Sequence, residues 1–362
     1  MEQISIYDCL YPKYRINKPI RLIELFAGVG SQAMALKTIG YPYELYKTSD
    51  WEVHAVASYK AIHHADDNTD YSKDIKAEEL PKILYDIGLS TNGKNPMSLK
   101  QIKRKGEKWQ RTTYNNFRAT HNMGSITNIK GKDLEIKDTE RFTYLLTYSF
   151  PCQDLSLAGK RAGMQKGSGT RSGMLWEVER LLNDTEALPQ VLLMENVPEV
   201  AGKNNINDFH LWQQFLVDKG YTNYFEILKA SDYGVAQKRS RAFMISILGE
   251  YSFTFPESVR LQKTMNAYLE SNVDEKYYIT GEKANKLIKT LIKNGEIPNK
   301  EMLQIGTDLT INKPKTIKTA NCIKARYDAG ISDNQSDGTG VIVQEPRRIG
   351  GLYDGAKKHQ IG

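Results

Sequence analysis

A short apolar run at residues 20–25, Ile-Arg-Leu-Ile-Glu-Leu, ends in Phe26-Ala-Gly-Val-Gly30 and leads into a helix-like stretch reaching about Ile39. A buried strand that passes through a two-glycine turn into a helix is the unit from which parallel sheets are built, with ligands beyond the carboxyl ends of the strands. The pattern recurs. Residues 43–49 form a second strand-like run ending at Asp50-Trp51-Glu52, followed by a helix-like 53–64. Further strand-like runs fall at 144–149, 191–194, 224–228 and 243–247, with helix-like segments near 173–183 and 207–219 between them. This predicts an α/β fold with a doubly wound, mostly parallel sheet over residues 1–250. After Glu250 the periodicity weakens: 259–300 carry helix-like stretches and 301–362 are rich in Gly, Asn, Asp and Lys. Residues 251–362 are therefore expected to form a second, smaller region.

With 362 residues, 40% hydrophobic and 26% charged, the chain is long enough for both parts and has an ordinary globular composition. No apolar run is long enough to span a bilayer, and Met-Glu-Gln-Ile-Ser-Ile at the N-terminus lacks a signal-peptide pattern. A cytoplasmic protein without a membrane partner is expected. The three cysteines, Cys9, Cys152 and Cys322, are too dispersed for a disulfide framework or a structural metal site. No metal is expected.

Charge is concentrated rather than spread. Between Lys94 and Arg118 eight basic residues face one acid, Glu107, which equals the net +7 of the whole chain. Trp109, Tyr114 and Phe117 are interleaved in a basic insert of about residues 71–121. Such a segment suits a phosphate backbone, with Lys103, Arg104, Lys105 and Lys108 as contacts; a solvated basic loop is the plainer reading.

The chemistry-bearing residues collect at strand ends. Asp50, closing the second strand, can accept from ribose hydroxyls, and Trp51 offers a stacking face to adenine. Ala33 rather than a glycine stands at the third position of the dinucleotide fingerprint, and with Asp50 and Trp51 close by the turn suits a nucleoside cofactor. Cys152 follows a strand and a proline in Ser149-Phe-Pro-Cys-Gln. Glu195-Asn-Val ends another strand, and Gln237-Lys-Arg239-Ser-Arg241 precedes a third. Singly these would be a buried thiol, a solvated carboxylate and surface guanidiniums. Together at one edge they are a candidate catalytic set.

Phe26-Ala-Gly-Val-Gly, Ser149-Phe-Pro-Cys-Gln, Glu195-Asn-Val and Gln237-x-Arg-x-Arg241 resemble, in order and spacing, the motif set of the C5-cytosine DNA methyltransferases. The likeness covers roughly residues 20–250, and the insert is similar to that of bacterial CpG-type and phage-borne members. The resemblance implies an S-adenosylmethionine-dependent enzyme acting on double-stranded DNA, in restriction–modification or phage self-protection. Cys152 would be the nucleophile, with Glu195, Arg239 and Arg241 completing the catalytic set. Cofactor contacts would fall to Phe26, Gly28, Gly30, Asp50, Trp51, Ser125, Ile126 and Leu175. DNA contacts would fall to Ser156, Lys160, Arg161 and Arg171, the last three within a loop (160–171) that resembles the family's mobile lid. Two departures stand out. Gly124-Ser125-Ile126 replaces a Gly-Asp-Ile, trading a charged acceptor for a hydroxyl. The family's C-terminal Arg-x-Leu-x-Pro-Arg-Glu and Gly-Asn-Ser segments are missing, so a truncated recognition region at 251–362 is expected. The rival readings are a truncated or split DNA-binding protein needing a C-terminal complement, and an RNA cytosine-5 methyltransferase. A monomer is expected, unless a complementing C-terminal chain joins it.

Overall fold

A computed structural model describes residues 11–152, 154–155, 163–270, 282–297, 303–308, 315–321, 339–344 and 359–361. The chain divides into two compact units: Met1–Ile227 with Ala242–Phe255, and Leu228–Arg241 with Pro256–Gly362. Cys9, Cys322, Ser156, Lys160 and Arg161 lie outside the described residues, as do 345–358, on which the expectation of an incomplete recognition region bears.

The first unit is built on a six-stranded sheet. Its strands are β1 (Ile20–Leu25), β2 (Tyr43–Ser49), β3 (Thr143–Tyr148), β4 (Val191–Asn196), β5 (Tyr221–Lys229) and β7 (Ser240–Leu248), in the spatial order β2-β1-β3-β4-β7-β5. A two-residue β6 (Gln237–Lys238) lies between the last two in sequence. β2, β1, β3 and β4 are parallel neighbours, and β7 runs antiparallel to β4. β1, β3 and β4 are largely buried on both faces, as a sheet covered by helices requires. Helices α1 (Ser31–Ile39), α2 (Val53–His63), α6 (Leu175–Asp184) and α7 (Ile206–Asp218) connect them. Fully buried Tyr148 and Trp212 mark the core, the indole N–H donating to the tyrosine hydroxyl at 3.1 Å. Among the described residues no helix is long and apolar enough to cross a membrane.

One buried carboxyl ties sheet to helix. Glu24, 1% exposed at the end of β1, accepts from the N–H of Ala33 at 3.2 Å and from the Tyr59 hydroxyl at 2.6 Å. Gly30, the residue before α1, has no side chain to cap that helix, so Glu24 supplies an acceptor for its first turn from the strand. A Cβ on Gly30 would lie 2.4 Å from the His63 ring, so glycine is required there by the packing of α2.

Residues 71–121, expected as a basic surface segment, are largely helical: α3 (Leu80–Ile87), α4 (Leu99–Arg104) and α5 (Glu107–Ala119). Leu84, Leu89, Met97, Ile102 and Phe117 pack with Val53 and Val56 of α2 into a small core of their own. Ser98 and Gln101 form a reciprocal capping box at the start of α4. The insert leaves the sheet domain at His64 and re-enters at His121, whose rings are 6.1 Å apart.

His64 is a weak point in this neck. Its Nε2 is buried and finds no hydrogen-bond partner among the described residues. Desolvation, with His121, His63 and Lys60 nearby and opposed by Asp67, lowers its pKa below the ordinary 6.5. A histidine whose folded pKa is lowered favours the neutral form, so its contribution is complete above the unfolded value and lost as pH falls below it. Denaturant titrations from pH 7.5 to 5.5 should show wild-type stability declining more steeply than that of His64→Gln. Parallel profiles would remove this group as the cause.

The second unit contains α8 (Glu282–Lys293), burying Leu287, Ile288 and Leu291. β8 (Leu303–Asp308), β10 (Thr339–Gln344) and β11 (His359–Ile361) form an antiparallel sheet in the order β11-β10-β8. β6 pairs with β9 (Ala320–Asn321), next to a cluster of Ala236, Met265 and Ile317.

Candidate active site

The register of the parallel strands levels their ends. Ser49 of β2 pairs with Leu25 of β1, Leu25 with Tyr148 of β3, and Tyr148 with Met194 of β4. The next residue on each strand is Asp50, Phe26, Ser149 and Glu195. At ~4.8 Å per strand these four span about 14 Å of one sheet edge. Residues expected at the nucleoside and at the reacting base, far apart in sequence, are thereby set on one line.

At the first end of that line the backbone is strained. Phe26 is held at φ 59°, a left-handed conformation that costs a non-glycine residue of order 1 kcal/mol or more. The turn is pinned to β2: Ala27 N–H donates to Ser49 C=O at 3.2 Å and Gly28 N–H to the Asp50 carboxylate at 2.8 Å. The other Asp50 oxygen accepts from Glu52 N–H at 2.9 Å. Burial raises the Asp50 carboxyl above its ordinary value, against the lowering effect of these bonds. Each carboxylate oxygen keeps a further lone pair for a ligand hydroxyl.

A cavity of about 860 Å³ opens here, lined by Phe26, Asp50, Trp51, Ser125 and Ile126 among others. Gly28, at φ +57°, has open space where a Cβ would stand. The aromatic faces of Phe26, Trp51 and Tyr85 and the Asp50 carboxylate fit a nucleoside sulfonium such as S-adenosylmethionine. Ile126 is fixed from behind by Arg180 of α6, which donates to its C=O at 2.8 Å and to that of Ile129 at 2.9 Å. Leu175 does not line the cavity; it is wholly buried in the core, and its neighbour Met174 reaches the cavity instead.

Cys152 is half-buried four residues beyond β3. The turn that carries it is fastened on three sides. Gln32 of α1 donates to the Ser149 hydroxyl at 3.1 Å, Asn196 of β4 to Phe150 C=O at 3.1 Å, and the Ser172 hydroxyl to Pro151 C=O at 2.7 Å. Glu195 stands on the neighbouring strand beside Asn196, so the residue after the carboxylate positions the turn holding the thiol. Arg171, expected to meet DNA, donates through its backbone N–H to Asp154 at 2.8 Å and through its guanidinium at 3.4 Å, and also lines the cavity. Burial would raise the Asp154 carboxyl, but Arg171 holds it below the ordinary range. Arg239 and Arg241 belong to the second compact unit, with Ala230 N–H donating to Arg239 C=O at 2.8 Å. The chain re-enters the first unit at Ala242, opposite Asn196.

Lys103, Arg104, Lys105 and Lys108 are exposed at the end of α4 and the start of α5, Lys105 lying 5.4 Å over the Trp109 ring. Cavity residues of the insert, Tyr85, Asp86 and Lys94, escape sequence reasoning because the charge run draws attention to its phosphate-binding potential and nothing local marks them as pocket-forming.

A family model described as C-5 cytosine-specific DNA methylase matches residues 85–352. The chain is 41% identical over 263 residues to the orphan methyltransferase M.SssI of Spiroplasma monobiae, covering 72% of this chain and 67% of that protein. It is 37% identical to the type II methyltransferase M2.ScrFI of Lactococcus lactis subsp. cremoris, over 72% of this chain and 70% of the relative. Among solved structures, the methyltransferase EhMeth of Entamoeba histolytica aligns with a TM-score of 0.51 at 15% identity, covering 88% of this chain and 74% of that one. At that identity the likeness concerns the fold.

Proposed function

Because the chain belongs to the C5-cytosine-specific DNA methylase family, we propose that it methylates C5 of a cytosine flipped out of duplex DNA, through a covalent adduct to Cys152. The observation that carries this reading is the level row of strand ends, which sets Asp50 and Phe26 at the nucleoside cavity and Glu195 on the strand next to the one leading to Cys152.

S-adenosylmethionine, the methyl donor of such enzymes, supplies an electrophilic methyl group when bound. Phe26, Trp51 and Ile126 would hold its adenosine, and Asp50 would accept from the ribose. Cytosine C5 is a poor nucleophile until the ring is activated. The Cys152 thiolate adds at C6, forming a C–S bond and pushing electron density to C5. Glu195 holds N3 and the exocyclic amine, stabilising the charge that develops as sulfur adds. C5 takes the methyl as the donor's sulfur–methyl bond breaks, and a base then removes the C5 proton, re-forming the double bond and expelling the thiolate. Arg239 and Arg241 complete the catalytic set in this reading. A target ring inside a duplex is out of reach, so flipping is required. Ser156, Lys160, Arg161 and Arg171 would meet the DNA around the flipped base.

The test is methyl incorporation from tritiated S-adenosylmethionine into duplex DNA, with bisulfite sequencing of the product. Label at C5 of cytosine in DNA is expected. Label confined to an RNA transcript, or none with the cofactor bound, would overturn the reading.

The exposed cations of α4 and α5 would add affinity without sequence preference. Neutralising Lys103, Arg104, Lys105 and Lys108 together should weaken binding to all duplexes alike and flatten the log–log salt slope by roughly 0.9 for each phosphate no longer neutralised. An unchanged slope would make the segment a solvated surface.

A further inference from the structure

The helical insert walls the same cavity as the motif residues. Tyr85 and Asp86 at the end of α3, with Lys94 and Ser98 beyond it, line the space shared with Trp51 and Ser125. The attachment is through backbone. Ser90 N–H donates to Trp51 C=O at 2.7 Å, Val53 N–H to Ser90 C=O at 2.9 Å, and Met97 N–H to Leu89 C=O at 2.7 Å. The fully buried Ser90 hydroxyl donates to Asn95 C=O at 2.8 Å and accepts from Gly93 N–H at 3.0 Å, which fixes the turn facing the cavity. On the other side Ser125 N–H donates to Ile87 C=O at 3.0 Å. A Cβ on Gly124 would stand 2.4 Å from that same carbonyl. The end of α3 therefore cannot shift without moving Ser125, nor the following turn without moving Trp51.

Among the described residues lining the cavity, the carboxylates are Asp50 and Asp86. Asp50 sits at the sheet edge with backbone N–H groups on both oxygens. Between Asp86 and Ser125 the polar side chains of Ser125, Thr127 and Asn128 are neutral and already bonded to one another or to backbone. The Ser125 and Thr127 hydroxyls are 2.9 Å apart, Thr127 donates to Asn128 Oδ1 at 3.2 Å, and Asn128 Nδ2 donates to Asp86 C=O at 3.0 Å. Asp86 itself is exposed and engages Lys82, a surface pair that binds its carboxylate only weakly. The exocyclic amine of adenine offers two protons, and a carboxylate is its strongest partner among side chains of this kind.

We propose that the insert is part of the cofactor site and that Asp86 is a specificity-determining residue accepting the adenine amine, with Tyr85 beside it on the same wall. This rests on the reading of the chain as an S-adenosylmethionine-dependent enzyme.

Calorimetry with S-adenosylhomocysteine and with its N6,N6-dimethyladenine analogue tests it. Wild type should prefer the unmodified compound by about tenfold or more, the range of a hydrogen bond to a charged group. Asp86→Ala should bind S-adenosylhomocysteine about tenfold more weakly and discriminate between the two no longer. Asp86→Asn, which keeps an acceptor oxygen, should retain part of the preference. Because Asp86 is exposed, thermal midpoints of both variants should match wild type. An Asp86→Ala protein that binds and discriminates as wild type does would overturn this proposal and leave the cofactor reading standing. A wild-type chain that binds neither compound would overturn both.

Discussion

DNA carrying 5-fluorocytosine should trap the wild-type chain as a denaturation-resistant adduct in the presence of S-adenosylmethionine, and Cys152→Ser should form none. Fluorine at C5 cannot leave as a cation, so once the thiolate has added and the methyl has transferred, the C–S bond has no route to elimination. A serine hydroxyl at the same place is far from ionised at neutral pH and lacks the intrinsic nucleophilicity of sulfur. Turnover on ordinary DNA should fall by about 10⁴-fold or more, the scale on which removal of a covalent nucleophile is felt. Binding of duplex DNA should be kept, because Gln32, Asn196 and Ser172 hold the turn through Ser149, Phe150 and Pro151, which the substitution leaves in place. Gel mobility of the denatured complex and a filter-binding titration together decide the matter. An undiminished adduct from Cys152→Ser would assign the attack to another residue.

The second large effect concerns stability. Burial pushes the Glu24 carboxyl up to about 7 from an ordinary 4.5, against hydrogen bonds from Tyr59, Ala33 and Gln32 that favour the ionised form. A carboxyl whose folded pKa is raised costs nothing below its unfolded value. The penalty grows as pH climbs from about 4.5 to about 7 and is constant above. Each pKa unit is worth 1.36 kcal/mol, so the full penalty is about 3 kcal/mol. Glu24→Gln removes the charge, and its amide forfeits one acceptor toward the first turn of α1, an offset that does not vary with pH. The difference in unfolding free energy between variant and wild type should therefore move by about 3 kcal/mol in favour of the variant between pH 4.5 and 8. Urea titrations of both proteins across that range measure it. A pH-independent difference would show that Glu24 ionises in the folded protein as it does in the unfolded one.

The strands were the most legible part of the chain. β1 falls at residues 20–25, as read from its apolar run, because a strand buried on both faces leaves little room for another interpretation, and the edge strand β2 falls at 43–49, up to Asp50-Trp51. The insert was harder. Its α5 buries Gln110, Thr113 and Phe117, so the inward face is half polar and carries no clean apolar period, while eight cations dominate the eye. Ser98-x-x-Gln101 was the available signal for a helix start. Asp50, Trp51, Ser125 and Ile126 were legible as cavity residues because each sits just past a strand or in a motif. Tyr85, Asp86 and Lys94 reach the cavity only through the folding of the insert, which no local pattern encodes. Leu175 was placed at the cofactor by resemblance, but α6 turns it into the core, one residue past the Met174 that lines the space.

The meeting of His64 and His121 bears on how this architecture can vary. Residues 65–120 form an excursion flanked by His64 and His121, whose ring centroids lie 6.1 Å apart. The entropic cost of closing a flexible loop grows only logarithmically with length, about 0.6 kcal/mol for each doubling. Lengthening or shortening this segment at its far tips, away from Ser90 and the end of α3, is therefore nearly free for the sheet. Chain length there is set by what the segment must reach, while the few residues that wall the cavity near the neck are the ones that cannot drift.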